Sequence, residues 1–125
     1  NALNEEKLED GTSRVVLNIP APLAPIKVAV LPLVKKDGLP DKAREIMNTL
    51  KIEHQCHYEE KDSIGKRYRR QDAIGTPFCI TIDHDTLEDN AVTIRERDTM
   101  KQERVPISEL EDIINEKVNI KALFI

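Results

Sequence analysis

Ser63–Pro77 reads SIGKRYRRQDAIGTP and gathers four cations, Lys66, Arg67, Arg69 and Arg70, into five positions of a chain whose net charge is −4. Stepped at about 100° per residue, the stretch makes a helix. Ile64, Tyr68, Gln71 and Ile74 share one side, which is its expected packing side. Lys66, Arg69 and Arg70 share the opposite, outward side, with Arg67 flanking them. Ser63 stands where a hydroxyl can accept from the first free amides, and Gly75 with Pro77 stops the helix. Gly65 in the first turn lowers helix propensity, which makes sense where another backbone or a phosphate comes close.

Working outward, HQCHYE (His54–Glu59) and FCITID (Phe78–Asp83) flank this helix as strands. Upstream, IKVAVL (Ile26–Leu31) is an apolar, β-branched run suited to a strand covered on both faces, and Pro32 ends it. Ala43, Ile46, Met47 and Leu50 then fall at i, i+3, i+4 and i+7, one helical stripe, with Asp41 near its start. Downstream, HDTLEDN turns the chain and AVTIRER (Ala91–Arg97) returns as a strand. Another strand is expected over Met100–Val105, and Pro106 opens a helix with Leu110, Ile113, Ile114 and Val118 as its stripe. Near the start, RVVLNIP (Arg14–Pro20) suits a short strand and APLAP holds the chain extended. NALNEEKLEDGTS is polar and patternless and is read as linker. The order of elements predicts an α/β fold, its first strands parallel and its later ones an antiparallel edge, with helices on both faces of a mixed sheet.

The 125 residues make one domain. With 39% hydrophobic residues, 34% charged, no Trp, two Tyr and two Phe, the core must be mostly Ile, Val and Leu. The acidic balance excludes a protein that binds polyanions with its whole surface. A local basic site stays open, because exposed charges are largely screened beyond about 10 Å. Cys56 and Cys79 are read as free thiols of a reducing, cytoplasmic compartment in preference to a disulfide. No apolar run approaches the roughly 18 residues of a membrane span, and no export signal is evident. The first residue is Asn1, and the chain is expected to be a piece of something longer.

Two readings of the cation cluster compete. One is a solvated helix face. The other is a nucleic-acid contact, favoured because arginine forks onto phosphate and stacks on bases as lysine does not. A second basic group supports it: in TIRERDTMKQER, Val92 and Ile94 point one way while Thr93 and Arg95 point the other, and Arg97, Lys101, Gln102 and Arg104 follow. If this strand lies beside the helix, the arginines converge on one groove. Asp72, Glu96 and Asp98 among them suit base reading, since a carboxylate accepts from the amino group of cytosine. Proteins read RNA bases mostly in unpaired loops; with few aromatic residues, arginine planes would have to supply the stacking. His54, Cys56 and His57 divide between two strand faces and suit one metal poorly, and the acidic Asp83–Asp89 turn is at most a weak divalent-ion site. Gly65-Lys66 lacks the rest of a nucleoside-triphosphate loop. No catalytic constellation stands out.

LAPIKVAVLPLVKKDGLPDKAREI, SIGKRYRRQDAIGTPFCITID and VTIRERDTMKQERVPISEL together resemble the C-terminal anticodon-binding domain of the dimeric, eukaryote-like class II glycyl-tRNA synthetases, over about Arg14–Val118. The resemblance implies a five-stranded mixed sheet flanked by helices, with residues 1–24 a linker from an absent upstream catalytic domain and 25–125 the anticodon-binding domain. It implies the anticodon loop of glycine tRNA as partner, with cytosine at the second and third anticodon positions. The family's basic helix falls on Lys66, Arg67, Arg69 and Arg70, with Asp72 behind. Its arginine-bearing strand and turn fall on Arg95, Arg97, Asp98 and Gln102. No cofactor is expected in this fragment; ATP with magnesium would belong to the absent catalytic domain, and the parent enzyme would dimerise through other regions. The alternative is a protein-interaction or processivity module on the same fold, as in the accessory subunit of mitochondrial DNA polymerase.

Overall fold

The computed structural model describes residues 3–118. Five strands form one mixed sheet: β3 (Val28–Pro32), β4 (Cys56–Tyr58), β5 (Phe78–Ile82), β6 (Ala91–Glu96) and β7 (Gln102–Pro106), in the spatial order β4-β3-β5-β6-β7. β3 pairs in parallel with β4 and β5, while β6 and β7 add antiparallel. Every residue of VAVLP and FCITI is buried, as strands covered on both faces require. Helix α1 (Leu39–Leu50) connects β3 to β4, α2 (Ile64–Ile74) connects β4 to β5, the short α3 (Thr86–Asp89) occupies the expected acidic turn, and α4 (Ile107–Lys117) follows β7. The predicted α/β sheet and its parallel-then-antiparallel order are thus present. The expected domain end, residues 119–125, lies outside the described residues.

The two faces of the sheet are built differently. On one, Leu39, Ala43, Ile46 and Leu50 of α1 and Leu110 and Ile114 of α4 meet Val28, Val30, Ile80, Ile82, Val92, Ile94 and Val105 in the main core. On the other, the apolar set is thin: Ala29, Leu31 and Cys79 under Ile64 and Tyr68 of α2. Small side chains there let α2 come close but supply little apolar area, so α2 needs other fastenings.

Cys56 is in register with Val28 and Cys79 with Ala29, so the two thiols face opposite sides of the sheet with β3 between them. Both are free, and alternation along the strands forbids their pairing. Burial pushes the Cys56 thiol up to about 11 and the Cys79 thiol up to about 12.

The linker expected over residues 1–24 is, from Leu3 to Leu17, a hairpin instead. β1 (Leu3–Lys7) pairs antiparallel with β2 (Ser13–Leu17). Asp10-Gly11 is its local signal: Gly11 has φ 87°, and the Asp10 carboxylate accepts from the Thr12 amide and hydroxyl. Leu3–Lys7 shows no apolar alternation, which is why it reads as linker. Two buried side chains of β2 hold the hairpin down, Val16 at 0% exposure and the long-range Arg14 at 2%.

Gly75 closes α2 with φ 86°, and a Cβ there would lie 3.1 Å from Leu17 Cδ2 and 3.2 Å from the Leu17 carbonyl oxygen. Gly75→Ala should therefore lower stability by about 1–3 kcal/mol, read from chemical denaturation. Both thiols should resist iodoacetamide at about pH 8 in the folded chain and react once it is unfolded.

Candidate nucleic-acid interface

Helix α2 starts at Ser63, whose Oγ accepts from the Lys66 amide at 3.3 Å. Along its length polar side chains, more than apolar ones, tie it to the rest of the fold. The Tyr68 hydroxyl meets Thr81 Oγ1 of β5 at 2.5 Å. Gln71 Nε2 donates to Glu59 Oε2 at 2.8 Å and meets His57 Nδ1 of β4 at 3.0 Å. Asp72, fully buried, accepts a fork from Arg95 of β6: Nη1 to Oδ1 at 2.8 Å and Nη2 to Oδ2 at 3.1 Å. Arg14 of β2 donates to the same Asp72 Oδ2 at 3.0 Å and to the Arg97 carbonyl at 2.7 Å, and reaches Glu6 through Nε and Nη2. The Arg95 guanidinium also lies over the Tyr68 ring, 4.7 Å from its centre.

This corrects the expectation of a single arginine-lined groove. Arg67, expected to flank the outward face, is 1% exposed. It donates to the Pro32, Leu33 and Glu59 carbonyls, closing the ends of β3 and β4 whose backbone oxygens would otherwise be unpaired. Burial lowers its pKa from the ordinary arginine value. Arg97 donates to the Gly75 carbonyl at 2.9 Å and the Ile19 carbonyl at 2.7 Å, and forks onto Asp98. Arg67, Asp72, Arg95 and Arg97 are thus engaged inside the fold, and the residues placed at the surface are Lys66, Arg69, Arg70, Asp98 and Gln102. Ile74, expected on the packing side, is 44% exposed.

The exposed five do not form one cluster. Lys66, Arg69 and Arg70 lie on the outer face of α2. Arg69 donates to the Ser13 carbonyl at 3.0 Å, and Arg70 pairs with Glu59 and Asp62. Asp98 opens instead onto a recess of about 700 Å³ at the other end of α2, between Asn18–Ala21 and Glu96–Thr99. Gln102 is in register with Arg95, and Arg104 with Thr93, so all four share the α2 side of the sheet. On α2, Gly65 lies seven residues before Asp72 and hence on the same stripe; nothing comes within 4 Å of a Cβ built there. Gly65 is exposed, so α2 is open at its first turn.

One contributor escapes a local reading of the sequence, and another was named without its partners. Arg14 is the hub of the buried network, yet stands alone in a run of ordinary strand residues. Arg104 is held by Asp83 and Asp89, which gives the acidic turn a partner inside the fold.

Burying Asp72 is tolerable only while the guanidinium groups face it. Asp72→Asn should therefore cost about 3–5 kcal/mol of stability, because it leaves buried Arg95 without its carboxylate and Arg14 with Glu6 alone. Arg67→Ala should be comparably damaging, whereas Arg70→Ala, which removes an exposed pair, should leave stability little changed. Urea denaturation of the three variants measures the contrast.

A family model described as an anticodon binding domain matches residues 27–117. The chain is 55% identical over 118 residues to the glycine–tRNA ligase of Clostridium acetobutylicum and 57% identical over 111 residues to that of Malacoplasma penetrans, covering 94% and 89% of this chain. It spans 25% and 24% of the length of those two relatives. Among solved structures, the RNA binding domain of threonyl-tRNA synthetase from Cryptosporidium parvum Iowa II matches with a TM-score of 0.71 at 20% identity, over 79% of this chain and 25% of that one; this is a likeness of fold. With the mixed sheet, the connecting helix α2 and a match across residues 27–117, the chain belongs to the anticodon-binding domain family.

Proposed function

We propose that this domain grips the anticodon loop of glycine tRNA on behalf of a glycine–tRNA ligase. The observation that carries the reading is the outer face of α2, where Lys66, Arg69 and Arg70 stand exposed, in a chain 55% identical to a glycine–tRNA ligase. The three cations take the phosphates of the loop. Gln102 and the polar β6–β7 face beyond it meet unpaired base edges, and the Gly65 side of α2 leaves room for the RNA to approach. Arg67, Asp72, Arg95 and Arg97 serve the site by holding α2 and β6 rigid, since their hydrogen bonds are made inside the fold. Asp98 stands apart from the cations and contacts the loop only where the RNA reaches the β6–β7 turn.

In this reading the ligation of glycine to tRNA, with its ATP and magnesium, belongs to a class II catalytic domain elsewhere in the parent polypeptide. That parent is of the dimeric, eukaryote-like type, pairs through regions outside this domain, and works in the cytoplasm.

Fluorescence anisotropy with a glycine anticodon stem-loop tests the assignment. Lys66→Ala, Arg69→Ala and Arg70→Ala should each weaken binding and reduce the salt slope by about one for each phosphate left unneutralised. Replacing either anticodon cytosine should cost about 1–3 kcal/mol if its edge is read. A triple alanine variant that binds like the wild type would contradict the site. Tighter binding to a duplex DNA primer–template than to the stem-loop would favour the processivity reading instead.

A further inference from the structure

We infer that the β1–β2 hairpin is a working part of the RNA-reading unit and that Arg14 is its positioning residue; the inference rests on the proposed RNA function. The anticodon-binding match begins at residue 27, after the hairpin has ended. Yet the hairpin sends Arg14 into the middle of the domain, where it is more completely buried than Arg95.

What Arg14 touches sets its role. One nitrogen, Nη1, bridges Asp72 of α2 and the carbonyl of Arg97 at the end of β6. Asp72 in turn fixes both terminal nitrogens of Arg95, so the direction of the Arg95 fork depends on a carboxylate that Arg14 helps to orient. The Arg97 carbonyl lies immediately before the turn that carries Asp98 and leads to Gln102. Arg14 therefore couples α2, β6 and the β6–β7 turn through one planar group. Lysine has a single nitrogen and could not keep that bridge while also holding Glu6 as Nε and Nη2 do, so it would not fix the plane of the contact. The hairpin also reaches the outer face of α2, where the Ser13 carbonyl accepts from Arg69 Nη1 at 3.0 Å. Glu6 on β1 takes the other edge of the Arg14 guanidinium, Nε at 2.9 Å and Nη2 at 2.7 Å, so both hairpin strands fix its orientation.

Arg14 has no reach to a phosphate in this arrangement. Its removal is expected to blur base reading rather than take charge from the binding surface, and that separates positioning from contact.

The test uses the whole chain and three stem-loops: the glycine anticodon loop and the two loops with its second or third anticodon cytosine replaced. Affinities are measured across a salt series for wild type and for Arg14→Met, Arg14→Lys and Glu6→Gln, each first shown by circular dichroism to be folded at the assay temperature. Arg14→Met should lose about tenfold of the discrimination between cytosine and its replacements, with the salt slope unchanged. Arg14→Lys should not restore it. Unchanged discrimination in a folded Arg14→Met would overturn the inference. So would an equal loss for all loops with a shallower salt slope, which would make Arg14 a phosphate contact. Should Arg14→Met fail to fold, Glu6→Gln decides: a loss of discrimination of twofold or more supports the positioning role, and wild-type discrimination overturns it. A wild-type chain that binds none of the loops would overturn the RNA reading and this inference with it.

Discussion

A carboxylate with no exposed surface sits under α2 and faces two guanidinium groups. Taking such ions out of water costs several kcal/mol each, and only good geometry offsets it. Asp72 meets that demand with a two-point fork to Arg95 and a third bond to Arg14. Two cations on one anion would leave the interior positive, and Glu6 at the rim supplies the second negative charge. The rest of the α2 side follows from this arrangement. With few apolar contacts beneath it, the helix is held to β2 and β6 through Asp72, to β5 through Tyr68, to β4 through Gln71, and to the end of β3 through Arg67.

The division of labour among the arginines is the functional consequence. Buried guanidinium groups fix backbone positions, because each carbonyl or carboxylate they meet is held at a set distance and direction. The outer face of α2 is then a rigid platform for Lys66, Arg69 and Arg70, and rigid support is what a recognition surface needs. The opposite side of the sheet carries α4 with Glu109, Glu111, Asp112 and Glu116.

The sheet and its helices were largely legible in the sequence, for physical reasons that can be named. VAVL and FCITI are apolar at nearly every position, which strands covered on both faces explain. Ala43, Ile46 and Leu50 keep helical spacing, and Val92 and Ile94 alternate with Thr93 and Arg95. The cation-bearing helix was legible, but the directions of its side chains were not. Nothing local tells whether an arginine at the flank of a helix, such as Arg67, turns outward to solvent or inward to cap carbonyls; the free oxygens at the end of β3 decide it. A strand was expected from Arg14, but its pairing with Leu3–Lys7 escaped, as did the anchoring role of Arg14, whose partner Asp72 is far away in sequence. Asp10-Gly11 marked the turn, but Leu3–Lys7 had no apolar face to announce a strand.

The central claim is that the open side of α2 and the β6–β7 face beside it receive RNA while the buried arginines only hold them in place. Amide chemical-shift mapping on the isotope-labelled chain, titrated with the glycine anticodon stem-loop, tests it most directly. The account predicts the largest shifts at Gly65, Lys66, Arg69 and Arg70 and along Gln102–Arg104, with α1 and α4 little changed. Shifts concentrated on α1 and α4, with the α2 amides unmoved, would contradict it.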